Sequence, residues 1–444
     1  MRSPILTMAF VAVTAVNGLS QTETKERCPL QAPLPESSPA VTPAEICATI
    51  AVLAADSLEG REAGSPGADL AAAYIAGRFA AAGLSPPEGG FLQRFTFPAA
   101  LRHDPHAAES VHVNGPGVLP PGPGSGTLAT ANIVGILRGS DRELSREAVV
   151  IGAHYDHLGY GGPGSLAPGV RAIHNGADDN ASGVAGLLEL AERFVADPPA
   201  RTLLFVAFGA EEPGIVGSLH YVEHPVWPLE ATVAMVNLDM IGRLRETLTV
   251  YGTGTSPAWP AILDSLPEPE GFRLSRVPDG FGPSDHAAFY GAQVPVLAYF
   301  TGAHEEYHRP GDDLTTIDPT GSARVIEHVA AVVERVAGGD REIRYAEAPA
   351  TERRAMAFSV GLGIIPDYAF AGPGLRVSSI RPGGPADRAG LATDDILLEL
   401  GGHPIGDVYA YTAILADLEA DVPVDLVYRR AGDERRVTVA PEAR

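Results

Sequence analysis

The sequence predicts an α/β protein with a mostly parallel central sheet and helices on both faces, followed by a small β-rich C-terminal domain. Three observations carry this reading. From Asn132 onward, short β-rich apolar runs alternate with helical stretches, the pattern of strand–helix–strand units. Histidines and carboxylates fall just past those runs, at the edge where such sheets bind ligands. A charged stretch, Asp340 to Arg354, then sets off a last segment with a pattern of its own. At 444 residues the chain can hold several domains, each with a real core.

Composition narrows the function classes. Hydrophobic residues make up 45% and charged residues 20%, a globular balance. With 32 Lys+Arg against 55 Asp+Glu, the net charge is −23 at pH 7 and no basic cluster offsets it. Such a surface repels phosphates, so nucleic acid is excluded as a partner.

Residues 1–20, MRSPILTMAFVAVTAVNGLS, place Arg2 before an apolar run from Ile5 to Val16 and then small residues. That layout is a secretory signal, cleaved near Ser20, and predicts a secreted or periplasmic protein. A single N-terminal membrane anchor is the alternative, although the run falls short of the ~20 residues a span needs. No later segment is long enough to cross, so stable membrane insertion is not expected. Export fits the sparse cysteines: Cys28 and Cys47 are expected to pair, the alternative being two free thiols.

A Pro-rich lead occupies residues 21–40, and the main domain is expected over 41–340. Thr42-Pro43-Ala44-Glu45 reads as an N-cap, a first-turn proline and a capping-box glutamate, opening a helix to about Ala55. A second helix starts at Ser65-Pro66, spaces Leu70, Tyr74, Ala71, Ile75 and Phe79 helically, and stops at Gly83. The stretch from Gly115 to Gly126 holds PGVLPPGPGSG and predicts a loop. Strands are expected at Ile133–Leu137, Val149–Ala153, Leu203–Phe208, Val233–Leu238 and Val294–Phe300, with helices at Val184–Val195 and Ala323–Val336.

The chemistry sits after the strands. His154-Tyr155-Asp156-His157 follows the first of them; in extended chain residues two apart share a face, so Asp156 could accept a hydrogen bond from the far nitrogen of His154 and orient it as a metal ligand. Asn175 to Gly183, NGADDNASG, leads into a helix and carries more acid than capping needs. Glu211-Glu212 precede Pro213-Gly214, where one carboxylate can bind metal and the other handle a proton. Asp239 ends the next strand, and Tyr307-His308-Arg309-Pro310-Gly311-Asp312-Asp313 adds a second histidine. Two histidines and three carboxylates suit a pair of Zn²⁺ ions with one carboxylate bridging, although Mn²⁺ or Co²⁺ accept the same donors.

The ordered set HYDH, NGADDNASG, AEEPGIVGS, NLDM, SDH and YHRPGDD resembles the co-catalytic di-zinc exopeptidases of the aminopeptidase Y and bacterial leucyl aminopeptidase type, over about residues 41–340. The resemblance implies a zinc exopeptidase fold and two Zn²⁺ per chain. It makes His154 and Asp239 ligands of one ion, Glu212 and His308 ligands of the other, and Asp179 the bridge. Glu211 becomes the general base for a metal-bridged hydroxide; Asp156 joins the catalytic set on its own reading, as the residue that orients His154. Peptides are the implied substrates, cut at their N-terminal residue. Tyr307, Asp285 and His286 are expected near the substrate. His157, His174 and His304 are expected as solvated loop histidines, the alternative being contact with substrate, and His103, His106 and His112 as surface residues. Alternatives are an exported binding protein with a vestigial peptidase domain, or a carboxypeptidase or glutaminyl cyclase of the same fold. The six residues carried over are all present, which argues against loss of the site.

Residues 341–355 read as a linker. Residues 356–440, with GLGI and PGGPADRAGL followed by DDIL, resemble a PDZ domain of the bacterial protease-associated sort. There Gly361, Leu362, Gly363 and Ile364 are implied to hold a peptide C-terminus, with a helix at about Val408–Leu418 as the other wall; the alternative is a PDZ fold that only packs on the peptidase.

Overall fold

The computed structural model describes residues 27–29, 38–99, 126–339 (without 163, 168, 169, 268 and 270), 342–348, 360–366 and 374–443 (without 382, 407–410, 412, 413, 416 and 417). The signal segment, most of the Gly115–Gly126 loop, and His103, His106 and His112 lie outside the described residues.

Eight strands form the main sheet: β1 (Leu92–Pro98), β2 (Thr127–Leu137), β3 (Ala148–His154), β4 (Thr202–Phe208), β5 (Thr232–Leu238), β6 (Thr247–Tyr251), β7 (Arg273–Arg276) and β8 (Val296–Phe300). Their order is β1-β2-β4-β3-β5-β8-β6-β7. The four central neighbours, β4-β3-β5-β8, run parallel, so their carboxyl ends share one edge. The pairs β1-β2, β2-β4 and β6-β8 are antiparallel. β1, β6 and β7 add to the five expected strands. Edge strands β1 and β7 alternate buried with exposed positions or stay half-exposed, and so lack the continuous apolar run of a buried strand.

Alternation along the central strands divides the core. Val149, Ile151 and Ala153 of β3 and Leu203, Phe205 and Ala207 of β4 face one side. That side is covered by α1 (Pro43–Leu53), α2 (Pro66–Ala82), α3 (Gly183–Ala196), α5 (Trp259–Asp264) and α7 (Pro319–Ala337). Val150, Leu204, Val206 and Phe208 face the other, against Tyr221 of α4 (Val216–Glu223) and Phe289 of α6 (His286–Gly291). A sheet dry on both faces explains why its strands read as unbroken apolar runs.

The helix starts follow their caps. Thr42 accepts the Glu45 N–H and donates its hydroxyl to Glu45 Oε2 at 2.8 Å, while the Thr42 N–H goes to Glu189 of α3. Ser65 caps α2, and Gly83 ends it with φ +97°. Cys28 and Cys47 are joined by a disulfide, tying the segment before α1 to that helix. Among the described residues no helix is long and apolar enough to cross a membrane.

The first half of the expected linker is docked rather than free. Ile343 is buried in the main core, the Ala346 N–H donates to Thr255 O at 2.8 Å, and the Ala348 N–H donates to Tyr290 Oη at 3.0 Å. Tyr345 packs on Tyr290 with ring centroids 5.6 Å apart.

The C-terminal domain has its own core around Val360, Leu362, Val377, Leu397, Leu426 and Val439. Its strands are β9 (Val360–Gly361), β10 (Ile364–Pro366), β11 (Leu375–Ile380), β12 (Ile396–Leu400), β13 (His403–Pro404), β14 (Val424–Arg430), β15 (Asp433–Val439) and β16 (Glu442–Ala443). The order β10-β11-β12-β14-β15 leaves β10 at an edge, and β16 pairs β9. Buried Asp395 takes two hydrogen bonds from the Arg430 guanidinium, at 2.7 and 2.6 Å. The helix expected at 408–418 lies mostly outside the described residues, apart from buried Tyr411, Ile414 and Leu415 and half-buried Leu418.

Candidate metal centre

Parallel strands bring the acids and histidines to one edge. His154 ends β3, Glu211 and Glu212 follow β4, Asp239 follows β5, and His308 lies in the loop after β8. Asp179 comes from the turn 177–182 that precedes α3.

That turn is fastened from several sides. Asp312 accepts the N–H groups of Asp178 and Asp179 at 3.0 and 2.9 Å. Asn180 accepts the N–H groups of Gly183 and Met240 and donates to Leu238 O at 2.9 Å, locking the turn to the end of β5. Ser182 donates to Asp178 O and accepts the Ile241 N–H. Fully buried Arg61 donates to the carbonyls of Leu53, Tyr155, Asn175 and Gly176, joining the loop after β3 to the segment before Asp179. Burial lowers its pKa to about 10, against the pull of Asp156 and Asp179, so it stays charged at neutral pH.

The two oxygens of Asp179 face different partners. His154 Nε2 lies 3.3 Å from Asp179 Oδ1 and 3.6 Å from Asp239 Oδ1. His308 Nε2 lies 3.2 Å from Asp179 Oδ2 and 3.3 Å from Glu212 Oε2. Zinc bonds of ~2.0–2.1 Å in a tetrahedron put neighbouring donors about 3.3 Å apart. The four histidine-to-carboxylate distances lie near that spacing.

Hydrogen bonding behind the rings tests the fit to a cation. His308 Nδ1 is 2.9 Å from the Gly164 carbonyl, and His154 Nδ1 is 3.2 Å from the Asp156 carbonyl. A carbonyl only accepts, so each neutral ring carries its proton on Nδ1 and aims the Nε2 lone pair at carboxylate oxygens. Nε2 facing carboxylate oxygens at this distance is satisfied by positive charge, either a proton on the ring or a metal ion between the donors. Electrostatics agrees: burial works against protonating His154, yet Glu211, Asp179 and Asp239 outweigh it and hold its pKa well above the ordinary value. His308 rises to about 9, against burial, because Glu212 and Asp179 face it. The donor set fits two zinc ions.

Glu211 stands apart from the triads, its Oε2 4.0 Å from His154 Nε2. Burial, with Glu212, Asp285 and Asp239 adding and His154 opposing, pushes its pKa well above the ordinary carboxylate value. Asp156 departs from the sequence expectation. Its carboxylate is 4.0 Å from His154 Nδ1 and instead accepts the N–H of Glu211 at 2.9 Å and that of Glu212 at 3.3 Å; its backbone carbonyl takes the histidine.

The expected loop histidines are not solvated. His157 and His304 are each 1% exposed, and His174 is fully enclosed with its Nε2 2.7 Å from Ser165 Oγ. His157 Nδ1 sits 2.7 Å from Glu212 Oε1. His304 Nε2 lies 3.2 Å from Asp178 Oδ2, and the Arg243 guanidinium donates to His304 Nδ1. Sequence reasoning gave His157 no structural role, named Asp312 only as part of its motif and passed over Arg61; the histidine inside HYDH and the carboxylates of YHRPGDD were the available signals. Asp285 and His286 are also enclosed, at 0 and 2% exposure, and offer no surface to a substrate. Burial raises Asp285 to about 7 and lowers His286 to about 4. Tyr307 is half-buried with its ring stacked on His308 at 3.9 Å. In the last domain Leu362 is buried, Gly363 has φ +70°, and the Leu362 and Gly363 carbonyls accept from the Ala386 and Arg381 N–H groups.

Comparisons with known proteins match the part of the chain that carries these residues. Residues 132–333 match the profile of Peptidase family M28, and residues 376–430 that of a PDZ domain. Aminopeptidase YwaD of Bacillus subtilis is 29% identical over 214 residues, covering 46% of this chain and 44% of that protein. A probable leucine aminopeptidase of Arthroderma benhamiae is 30% identical over 203 residues, 43% of this chain and 53% of that protein. The chain thus spans about half the length of these relatives. Among solved structures, the zinc aminopeptidase BSAP from Bacillus subtilis shares the fold, with a TM-score of 0.51 at 20% identity over 70% of this chain and all of that one.

Proposed function

We propose that this protein, whose residues 132–333 match the Peptidase family M28 profile and residues 376–430 that of a PDZ domain, is an exported di-zinc aminopeptidase that removes N-terminal residues from peptides. The observation that carries the two-ion reading is the division of Asp179: one oxygen in each donor triad, with spacing suited to zinc on both sides. His154, Asp179 and Asp239 would hold one ion; Asp179, Glu212 and His308 the other. Zinc bound there supplies a Lewis acid for the carbonyl and lowers the pKa of water.

The protein's own residues supply the rest. Glu211 would accept the proton of the attacking water and pass it to the leaving amine, a role its place beside both triads but outside them allows. Asp156 holds the turn that presents both glutamates by gripping their two N–H groups. The intact, converging donor set favours an active enzyme over a vestigial domain. The relatives' names support N-terminal rather than C-terminal cleavage.

Export is part of the proposal, supported by the signal-like residues 1–20 and the Cys28–Cys47 disulfide. So is capture of peptide C-termini at Gly361, Leu362, Gly363 and Ile364, supported by the edge position of β10, which a peptide strand could extend.

The test is hydrolysis of aminoacyl amides and their N-acetylated counterparts, before and after chelation, beside metal analysis. Two zinc equivalents, cleavage only of free-amine substrates and loss on chelation are expected. Cleavage of blocked substrates, or activity insensitive to chelation, would overturn the reading.

A further inference from the structure

His157 belongs to none of the roles assigned above, yet it is placed as carefully as the ligands. Its ring is buried, set edge-on to that of His308 with centroids 5.7 Å apart. The backbone makes room for it: Gly176 has φ +57°, and a Cβ there would come within 2.6 Å of the His157 ring carbons and 2.2 Å of Asp179 O. The His157 N–H donates to Arg61 O, so its position is tied to the same buried arginine that fastens the metal loop.

Its nitrogens behave differently from those of His154 and His308. Each of those rings turns Nδ1 to a carbonyl and Nε2 to the carboxylates. In His157 the nitrogen facing a carboxylate is Nδ1, and Nε2 has no hydrogen-bond partner among the described residues. Nothing therefore fixes a tautomer with a lone pair on Nδ1. The Nδ1 to Glu212 Oε1 distance of 2.7 Å is a charge-assisted hydrogen bond, shorter than the ~3.3 Å edge between two ligands of one zinc. Nδ1 is also 3.8 Å from Asp179 Oδ2, farther than His308 is from the same atom. Glu212 is thus shared: Oε1 to His157, Oε2 to His308.

We propose that His157 is a positioning residue for the second metal ion, donating Nδ1–H to Glu212 Oε1 and thereby turning Oε2 toward that ion. The proposal rests on the two-ion reading above. Partners of this kind typically set metal affinity by roughly 10–100-fold.

Zinc titration against a chromophoric chelator, on the full chain and on His157→Ala and His157→Asn, tests it. Asn keeps an N–H near the place of Nδ1 but is a poor zinc ligand. For His157→Ala the second zinc should bind roughly 10–100-fold more weakly, with the first ion unchanged. His157→Asn should recover most of that loss. X-ray absorption on the zinc-loaded parent and on His157→Asn should count the same number of imidazoles. Unchanged affinity in His157→Ala, a loss in His157→Asn as large as in Ala, or an imidazole count that drops in Asn would overturn the proposal. A parent chain that takes up fewer than two ions would instead overturn the two-ion reading. The readout is metal affinity, so it stands whatever substrate the enzyme prefers.

Discussion

The Asp156 carboxylate accepts the Glu211 N–H with Oδ1, at 2.9 Å, and the Glu212 N–H with Oδ2, at 3.3 Å. One side chain at the end of β3 therefore sets the turn that carries both the proposed base and a proposed metal ligand after β4. An Asp156→Asn side chain has only one acceptor and would turn an amide N–H toward a backbone N–H. Turnover should fall by about ten-fold or more while Asp239 and His154 still hold their ion; kinetics beside zinc analysis checks both. Parent-like kcat in Asp156→Asn would show that the turn holds itself.

The paired glutamates should separate by role. Glu211→Gln should retain two zinc equivalents and lose roughly 10²–10⁴-fold in kcat, the cost of a missing general base. Glu212→Gln should lose affinity for the second ion, because Oε2 faces His308 Nε2, which also faces Asp179. Full activity of Glu211→Gln would reverse the assignment.

His328, on α7, makes stability depend on pH. It is 8% exposed, between the rings of Phe272 and Tyr299, and burial, with Arg276 adding, lowers its pKa to about 4. Between pH 6.5 and 4 the unfolded chain binds a proton that the folded one does not, so stability falls as pH falls through this window. The full effect is on the order of 3 kcal/mol. His328→Leu should flatten Tm against pH in that range; an unchanged slope would place the acid sensitivity elsewhere.

The end of the docked linker predicts where the chain can be cut. A chain ending after Ala348 keeps the contacts of Ile343, Ala346 and Ala348 and should turn over a small aminoacyl amide at the parent rate. It should bind long peptides less well if the PDZ domain holds their C-termini, since tethering raises local concentration without touching the chemical step. A chain ending at Arg344 loses the Ala346 and Ala348 hydrogen bonds and should have a lower Tm. Equal KM on peptides of every length would show that the PDZ domain only packs.

The central strands and the residues at their ends were legible in sequence because burial on both faces leaves an unbroken apolar run and the chemistry follows at once. His154, Glu211, Glu212, Asp239 and His308 each lie just past such a run, and parallel pairing brings them to one edge. The caps at Thr42 and Ser65 were legible too, since a cap is a contact between residues three apart. Tertiary structure decided what long-range contacts decide. Asp156 looked like a partner for His154, two residues away, but its carboxylate turns to N–H groups 55 and 56 residues on. His157 and His304 looked like loop residues because nothing local encloses them; Glu212 and Asp178, with Arg243, meet them only once the loops close over the sheet edge. Edge strands β1 and β7 are defined by a neighbour's free hydrogen bonds rather than by their own apolar pattern, and the docking of residues 342–348 depends on an acceptor at Thr255 that no local pattern announces.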